Sequence, residues 1–217
     1  ETVSGAPEVA YRETLTMTGE VNEKHKKQSG GKGQYAHVVL RLSPGEKGSG
    51  FEFNNEITGG AIPKEFIPAI EKGIVATMQK GPMAAYPVVD VKVDLIDGSY
   101  HDVDSNEMAF RLCASMAFKK AFLKANPELL EPIMRLTITC PEEFAGSVTG
   151  NVCGRRGRIL GIDSQGNAQV IKALCPLGNL FGYSSDLRNM TQGRVSFVMS
   201  FEHYEALPFS LAEEIIE

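Results

Sequence analysis

Hydrophobic and polar positions change period several times along the chain, and each change marks an element. "EVAYRETLT" (8–16), "GQYAHVVLRL" (33–42) and "FEFNNEI" (51–57) are rich in β-branched and aromatic residues and predict strands. "IPKEFIPAIEKGIVATMQKGP" then places Phe66, Ile70, Ile74 and Met78 four apart, the spacing of one helical face; Pro63 suits the start and Gly81-Pro82 the stop. In "PVVDVKVDLIDGS" the period returns to two, with Val89, Val91, Val93 and Leu95 on one face and Asp90, Lys92 and Asp94 on the other. After the loop "DGSYHDVDS" (97–105), Ser105 is the expected N-cap of a helix whose core face is Met108, Leu112, Ser115 or Met116, and Phe122.

Around "LLEPIM" (129–134) the pattern starts afresh. It predicts a strand over 133–139, a helix over 142–154, a strand over 157–163 and the turn "DSQGN". A strand over 168–175, a helix over 178–190 and a strand over 193–202 complete it. That order, β-α-β-β-α-β, is the ferredoxin-like unit. The expected organisation is α+β in two domains, 1–130 and 131–205, with 206–217 an amphipathic helix packing back on the first. Such folds host many functions, so function must come from particular residues.

Composition narrows the field. No apolar run approaches the ~20 residues of a membrane helix. The four cysteines, at 113, 140, 153 and 175, include no C-x-x-C pair, which argues against a zinc site and for buried thiols in a reducing compartment. The chain begins at Glu1, as expected of a piece of a longer or processed protein. Its net charge is −5, yet residues 24–33 hold Lys24, Lys26, Lys27 and Lys32 and no acid, leaving −9 for the remainder. Positive charge concentrated on an acidic body is the footprint of a local phosphate contact.

The lysines belong to "KHKKQSGGKGQ" (24–34), which fails as a nucleotide cradle. A P-loop would need glycine at 26 and Ser or Thr at 33, where lysine and glycine stand; a dinucleotide fingerprint would need glycine at 36, where alanine stands. "HDVD" brings His101, Asp102 and Asp104 onto one loop, but consecutive residues diverge and no second cluster completes a metal shell. The aspartates are expected to hold the turn by local hydrogen bonds, with His101 exposed at the apex beside Tyr100. No nucleophile–base set stands out. Two readings of the lysine segment stay open: a contact with RNA phosphates, or a solvated loop without a partner.

Longer motifs add a resemblance. "KQSGGKGQYAHVVLRLSP", "GGAIPKEFIPAIEKGI", "GPMAAYPVVDVKVDLIDGSYHDVDSNEMAFRLCASMAFKKAF", "LLEPIM", "GRRGRILG" and "LFGYSSDLRNMTQGR" follow one another in the order seen in translation elongation factor G. Over essentially its full length the chain resembles that family's fourth and fifth domains. The resemblance implies an elongated arm of mixed sheet and helices followed by the ferredoxin-like domain. The parent would be a monomeric, cytoplasmic translocation GTPase whose GTP- and Mg-binding domain precedes Glu1. No cofactor, metal or catalytic residue is then expected in this chain, which would not itself be an enzyme.

The implied partner is the ribosome, with the arm tip entering the small-subunit decoding site beside the tRNA–mRNA duplex. Lys26, Lys27, Ser29, Gly30, Gly31, Lys32, Gly33 and Gln34 would supply the first tip loop and its flank. Ser99, Tyr100, His101, Asp102 and Val103 would supply the second. His101 falls where archaeal and eukaryotic relatives carry the modified histidine diphthamide. Arg155, Arg156 and Arg158 are the expected contacts with large-subunit RNA near the stalk base. Two departures, Cys153-Gly154 where the conventional bacterial factor has serine and arginine, and an early end to the last helix, leave open a paralogue specialised for ribosome recycling. Tetracycline-protection proteins share the architecture but differ in the second loop.

Overall fold

The structure is a computed structural model, and it describes residues 9–28 and 31–217. Ser29 and Gly30, expected in the first tip loop, lie outside the described residues. The chain folds as two units: Arg12–Leu129 with Leu207–Glu217, and Leu130–Ala206 with the described residues 9–11.

In the first unit, β1 (Arg12–Leu15) makes a parallel bridge from Glu13 to Val88. Four further strands, β2 (Gly19–Lys27), β3 (Gln34–Pro44), β4 (Phe51–Asn55) and β5 (Val91–Ser99), form a sheet in the order β2-β3-β5-β4. All its pairs are antiparallel except β4–β5. Strand β2 was not expected. "GEVNEKHKK" alternates with Gly19, Val21 and Glu23 buried, so Lys24, Lys26 and Lys27 stand on a strand rather than in a loop. Charge hides this period, because the buried set contains a glycine and a glutamate. Glu23 is held by Lys120, whose Nζ donates to both carboxylate oxygens at 2.8 and 2.9 Å.

Two helices, α1 (Ile67–Met78) and α2 (Glu107–Lys124), share the sheet's core. Ile70, Ile74 and Met78 of α1 are buried as their spacing requires; Phe66, in a 3-10 turn, stacks on Phe110 at 5.0 Å. Helix α2 turns inward a different face from the one expected from Met108, Leu112 and Met116. Met108, Leu112 and Met116 are exposed, and the buried face is Ala109, Phe110, Cys113, Ala114, Ala117, Phe118, Ala121 and Phe122. Phenylalanines fill this face where there is room, and small residues stand where the neighbouring backbones come close. A Cβ on Gly19 would lie 2.4 Å from the carbonyl oxygen of Ala121, and one on Gly73 2.4 Å from that of Arg111. Ser115 is half-buried and bonds Thr77 at 2.6 Å. Asn106, not Ser105, caps α2, its Oδ1 accepting the Ala109 N–H at 2.8 Å. The alternation before β5 breaks at Asp90, which has φ 58°, so Val88 rather than Val89 is buried.

The second unit follows the expected order: β6 (Pro127–Pro141, entering from the first unit), α3 (Glu142–Gly154), β7 (Arg158–Gln165), β8 (Ala168–Pro176), α4 (Tyr183–Met190) and β9 (Ser196–Ala206). The strands lie β9-β6-β8-β7, all antiparallel, the ferredoxin-like arrangement. Val148 and Val152 of α3 and Tyr183 and Leu187 of α4 pack on Leu136, Ile138, Ile171 and Ala173 of the sheet. A last helix, α5 (Phe209–Ile216), groups with the first unit. Among the described residues no helix is long and apolar enough to cross a membrane.

Candidate nucleic-acid interface

Strands β2 and β3 are a hairpin, and their register ends with Lys26 opposite Tyr35 and Lys27 opposite Gln34. Lys27 and Gln34 are therefore the last pair of a two-stranded base. Gly31 has φ 145°, a conformation open to glycine, and a Cβ on Gly33 would lie 2.8 Å from the carboxylate of Asp104. That close approach joins the hairpin to the loop between β5 and α2. The Tyr35 N–H donates to the Asp104 carbonyl at 2.9 Å, and the Ser105 hydroxyl donates to the Tyr35 carbonyl at 2.7 Å. The two stretches, about 70 residues apart in sequence, thus form one tip.

His101 holds the second loop by its own ring. Its Nδ1 accepts the N–H groups of Val103 and Asp104, each at 3.1 Å, and its backbone N–H donates to Ser105 Oγ at 2.9 Å. The turn is therefore stabilised by His101 and Ser105, not by the aspartate side chains. With Nδ1 an acceptor, the ring proton sits on Nε2, which has no partner among the described residues; the side chain is 53% exposed. Tyr100, Asp102 and Val103 are exposed beside it. The apex thus offers one neutral N–H donor and an imidazole face. Among the described residues no group of three His, Cys, Asp or Glu could hold a metal ion.

Sequence reasoning missed a polar chain below the apex. Ser99 lies directly across from His37 in the β3–β5 register, and its Oγ is 2.7 Å from the Tyr35 hydroxyl and 2.8 Å from His37 Nδ1. His37 Nε2 lies 2.7 Å from Asn22 Oδ1 on β2. An amide oxygen only accepts, so Nε2 carries the proton, Ser99 donates to Nδ1 and Tyr35 donates to Ser99. One neutral imidazole ties three strands. The alternation in "QYAHVV" was the available signal, since it puts Tyr35 and His37 on one face.

Burial first, and the Lys24 ammonium second, hold the His37 ring below its ordinary pKa of 6.5, against the opposing pull of Asp97. Between that lowered midpoint and 6.5 the unfolded chain binds more protons than the folded one. Stability therefore rises with pH through this window and falls on acidification. An NMR titration should place the His37 midpoint below 6.5; a midpoint at or above it would mean that burial and Lys24 do not outweigh Asp97 at this ring.

None of Lys24, Lys26, Lys27 and Lys32 has an acidic partner within 4 Å among the described residues, and all four are exposed. The arginines of the second unit differ. Arg155 donates to Asn151, to the Asn179 carbonyl and to Asp186, and lies 4.9 Å over the Tyr183 ring. Arg156 makes a two-pronged bond to Glu131 at 2.8 and 2.9 Å. Arg158 is the open one, 64% exposed and only loosely paired with Glu205 at 3.6 Å. The buried thiols are inert. Burial raises Cys113 to about 12 and Cys175 to about 11.

The family model for elongation factor G, domain IV, matches residues 7–126, and that for the elongation factor G C-terminus matches residues 128–215. A crystal structure of a protein from Thermus thermophilus superposes with a TM-score of 0.89 at 42% identity. The match covers 98% of this chain and 32% of that one, so this chain spans about a third of the relative's length. Neither matched model is a GTP-binding domain. On these two matches the chain belongs to the elongation factor G family and comprises its domain IV and its C-terminal domain.

Proposed function

We propose that the chain is the ribosome-contacting end of a GTPase that promotes tRNA–mRNA translocation, its tip contacting RNA in the small-subunit decoding site. The observation that carries this reading is the joined tip: an exposed imidazole held by its backbone, with four exposed lysines close together in sequence, within residues 24–32, that have no acidic partner among the described residues. Lysines positioned this way bind phosphate without reading sequence, and the apex donor can meet an unpaired base edge. The arm acts as a pawl, occupying the vacated site and blocking back-slippage, while GTP and Mg chemistry lies outside this chain. On the second unit, Arg158 is best placed for large-subunit RNA, because Arg155 and Arg156 spend their donors internally.

The test uses the intact factor. His101→Ala is expected to slow translocation several-fold with GTP hydrolysis near wild type; loss of hydrolysis instead would refute the assignment. Four lysine–phosphate contacts would give a salt slope of about −3, and Lys26→Gln with Lys27→Gln should flatten it by about 1.4 while lowering ribosome affinity. An unchanged slope rules the contacts out.

A further inference from the structure

Below the apex, the sheet face that carries the polar chain has an order of its own. Cross-strand register sets it out in rows: Lys26 with Tyr35, then Lys24 with His37 and Ser99, then Asn22 with Val39 and Asp97, then Glu20 with Arg41 and Asp94. The two rows nearest the apex each pair a ring with an ammonium. Farther down, the charge becomes mixed, with Glu20 paired to Arg41 and Asp94 bonded to Asn54. The face opposite these side chains is the one that Ala36, Val38, Leu40 and Leu42 bury with the helices.

We infer that this face holds a single strand of RNA, its bases stacked on a line of rings formed by His101, Tyr35 and His37 and its phosphates met by Lys26 and Lys24. The inference rests on the proposed function and extends the contact from the apex loop onto the sheet. The Tyr35 and His101 ring centroids are 6.4 Å apart, so the line continues from apex to sheet. Tyr35 and His37 are two residues apart on one strand, about 6.8 Å. That is twice the ~3.4 Å rise per nucleotide of a stacked strand, so the bases must be splayed and a duplex does not fit. Both nitrogens of His37 and the hydroxyl of Tyr35 are already bonded to protein. What these rings have left to offer is their faces, which stack on any base. The contact is therefore indifferent to sequence.

The test is fluorescence anisotropy of the 217-residue chain with a labelled ten-nucleotide uridine strand, and with a mixed-sequence strand of the same length. The two strands should bind alike, and an RNA duplex should compete poorly. Tyr35→Leu and His37→Leu should each weaken binding about tenfold, with Tyr35→Phe recovering most of it because the ring remains. Lys24→Gln with Lys26→Gln, which breaks no internal bond, should lower the salt slope by about 1.4. No binding by the wild-type chain, wild-type affinity in Tyr35→Leu, or equal competition by duplex would each overturn the inference. If Tyr35→Leu binds normally while the lysine substitutions still weaken ribosome binding, this inference fails and the proposed function stands. If ribosome binding ignores the lysines while strand binding follows Tyr35, the proposed function fails and the strand site remains.

Discussion

Glu13→Ala is expected to destabilise the first unit by about 3–5 kcal/mol, because it leaves three backbone donors without their acceptor. Glu13 is fully buried, and its carboxylate accepts the N–H groups of Met83, Ala84 and Tyr86, all at 2.9 Å. Residues 81–87 contain no regular element, and Ala85 holds φ 65°; beside the backbone bonds Gly81 N–H to Tyr86 and Ala85 N–H to Gly81, the N–H groups of Met83, Ala84 and Tyr86 rely on this one side chain. A Cβ on Gly81 would lie 2.2 Å from Glu13 Oε1, which shows how tightly the backbone wraps the carboxylate. Urea denaturation should show the loss, and amide exchange at Met83, Ala84 and Tyr86 should rise with it. Glu13→Gln keeps one acceptor but turns an NH₂ toward a backbone donor, so it should fall between. A cost below about 1 kcal/mol for the alanine change would mean that water replaces the carboxylate there.

Glu13 also marks a limit of what the sequence discloses. The ferredoxin-like unit is legible because its strands and helices are separated by turns and carry ordinary periods; α3 runs Glu142–Gly154, the span the pattern predicts. The first unit is less legible wherever long-range contacts decide. Nothing local announces that Glu23 faces inward, since its partner Lys120 lies 97 residues away. Nor does α2 advertise its buried face. The expected face of Met108, Leu112 and Met116 stays outside, whereas Phe110, Phe118 and Phe122 go inward together with the alanines and the cysteine that the closeness of β2 and α1 requires. At the tip, charge and glycine content were visible, and so was the apical histidine. The role of His101 Nδ1 in bracing its own loop was not, nor the chain from Tyr35 to Asn22, because both depend on which strands lie side by side.

Arg156→Met should destabilise the second unit by about 3 kcal/mol, the low end for a broken buried pair because the guanidinium is partly exposed. Glu131 is 3% exposed, and Arg156 supplies both of its hydrogen bonds from a left-handed position, φ 62°, just past the end of α3. Removing the arginine strands a carboxylate in the protein. Adding Glu131→Leu removes that charge too and should recover most of the loss, so a double-mutant cycle reads the coupling directly. Arg158→Met, at an exposed and loose ion pair, should change stability by no more than about 0.5 kcal/mol. The same variants sort the arginines by function. In the intact factor, the Arg156→Met, Glu131→Leu pair should leave the salt dependence of ribosome binding as it was, and Arg158→Met should flatten it. If Arg156→Met proves neutral for folding yet flattens the salt slope, its guanidinium is free for RNA and the pairing with Glu131 is dispensable. A destabilised fold with unchanged salt slope assigns Arg156 to the architecture of the C-terminal domain, and a slope flattened by Arg158→Met is what would assign Arg158 to phosphate.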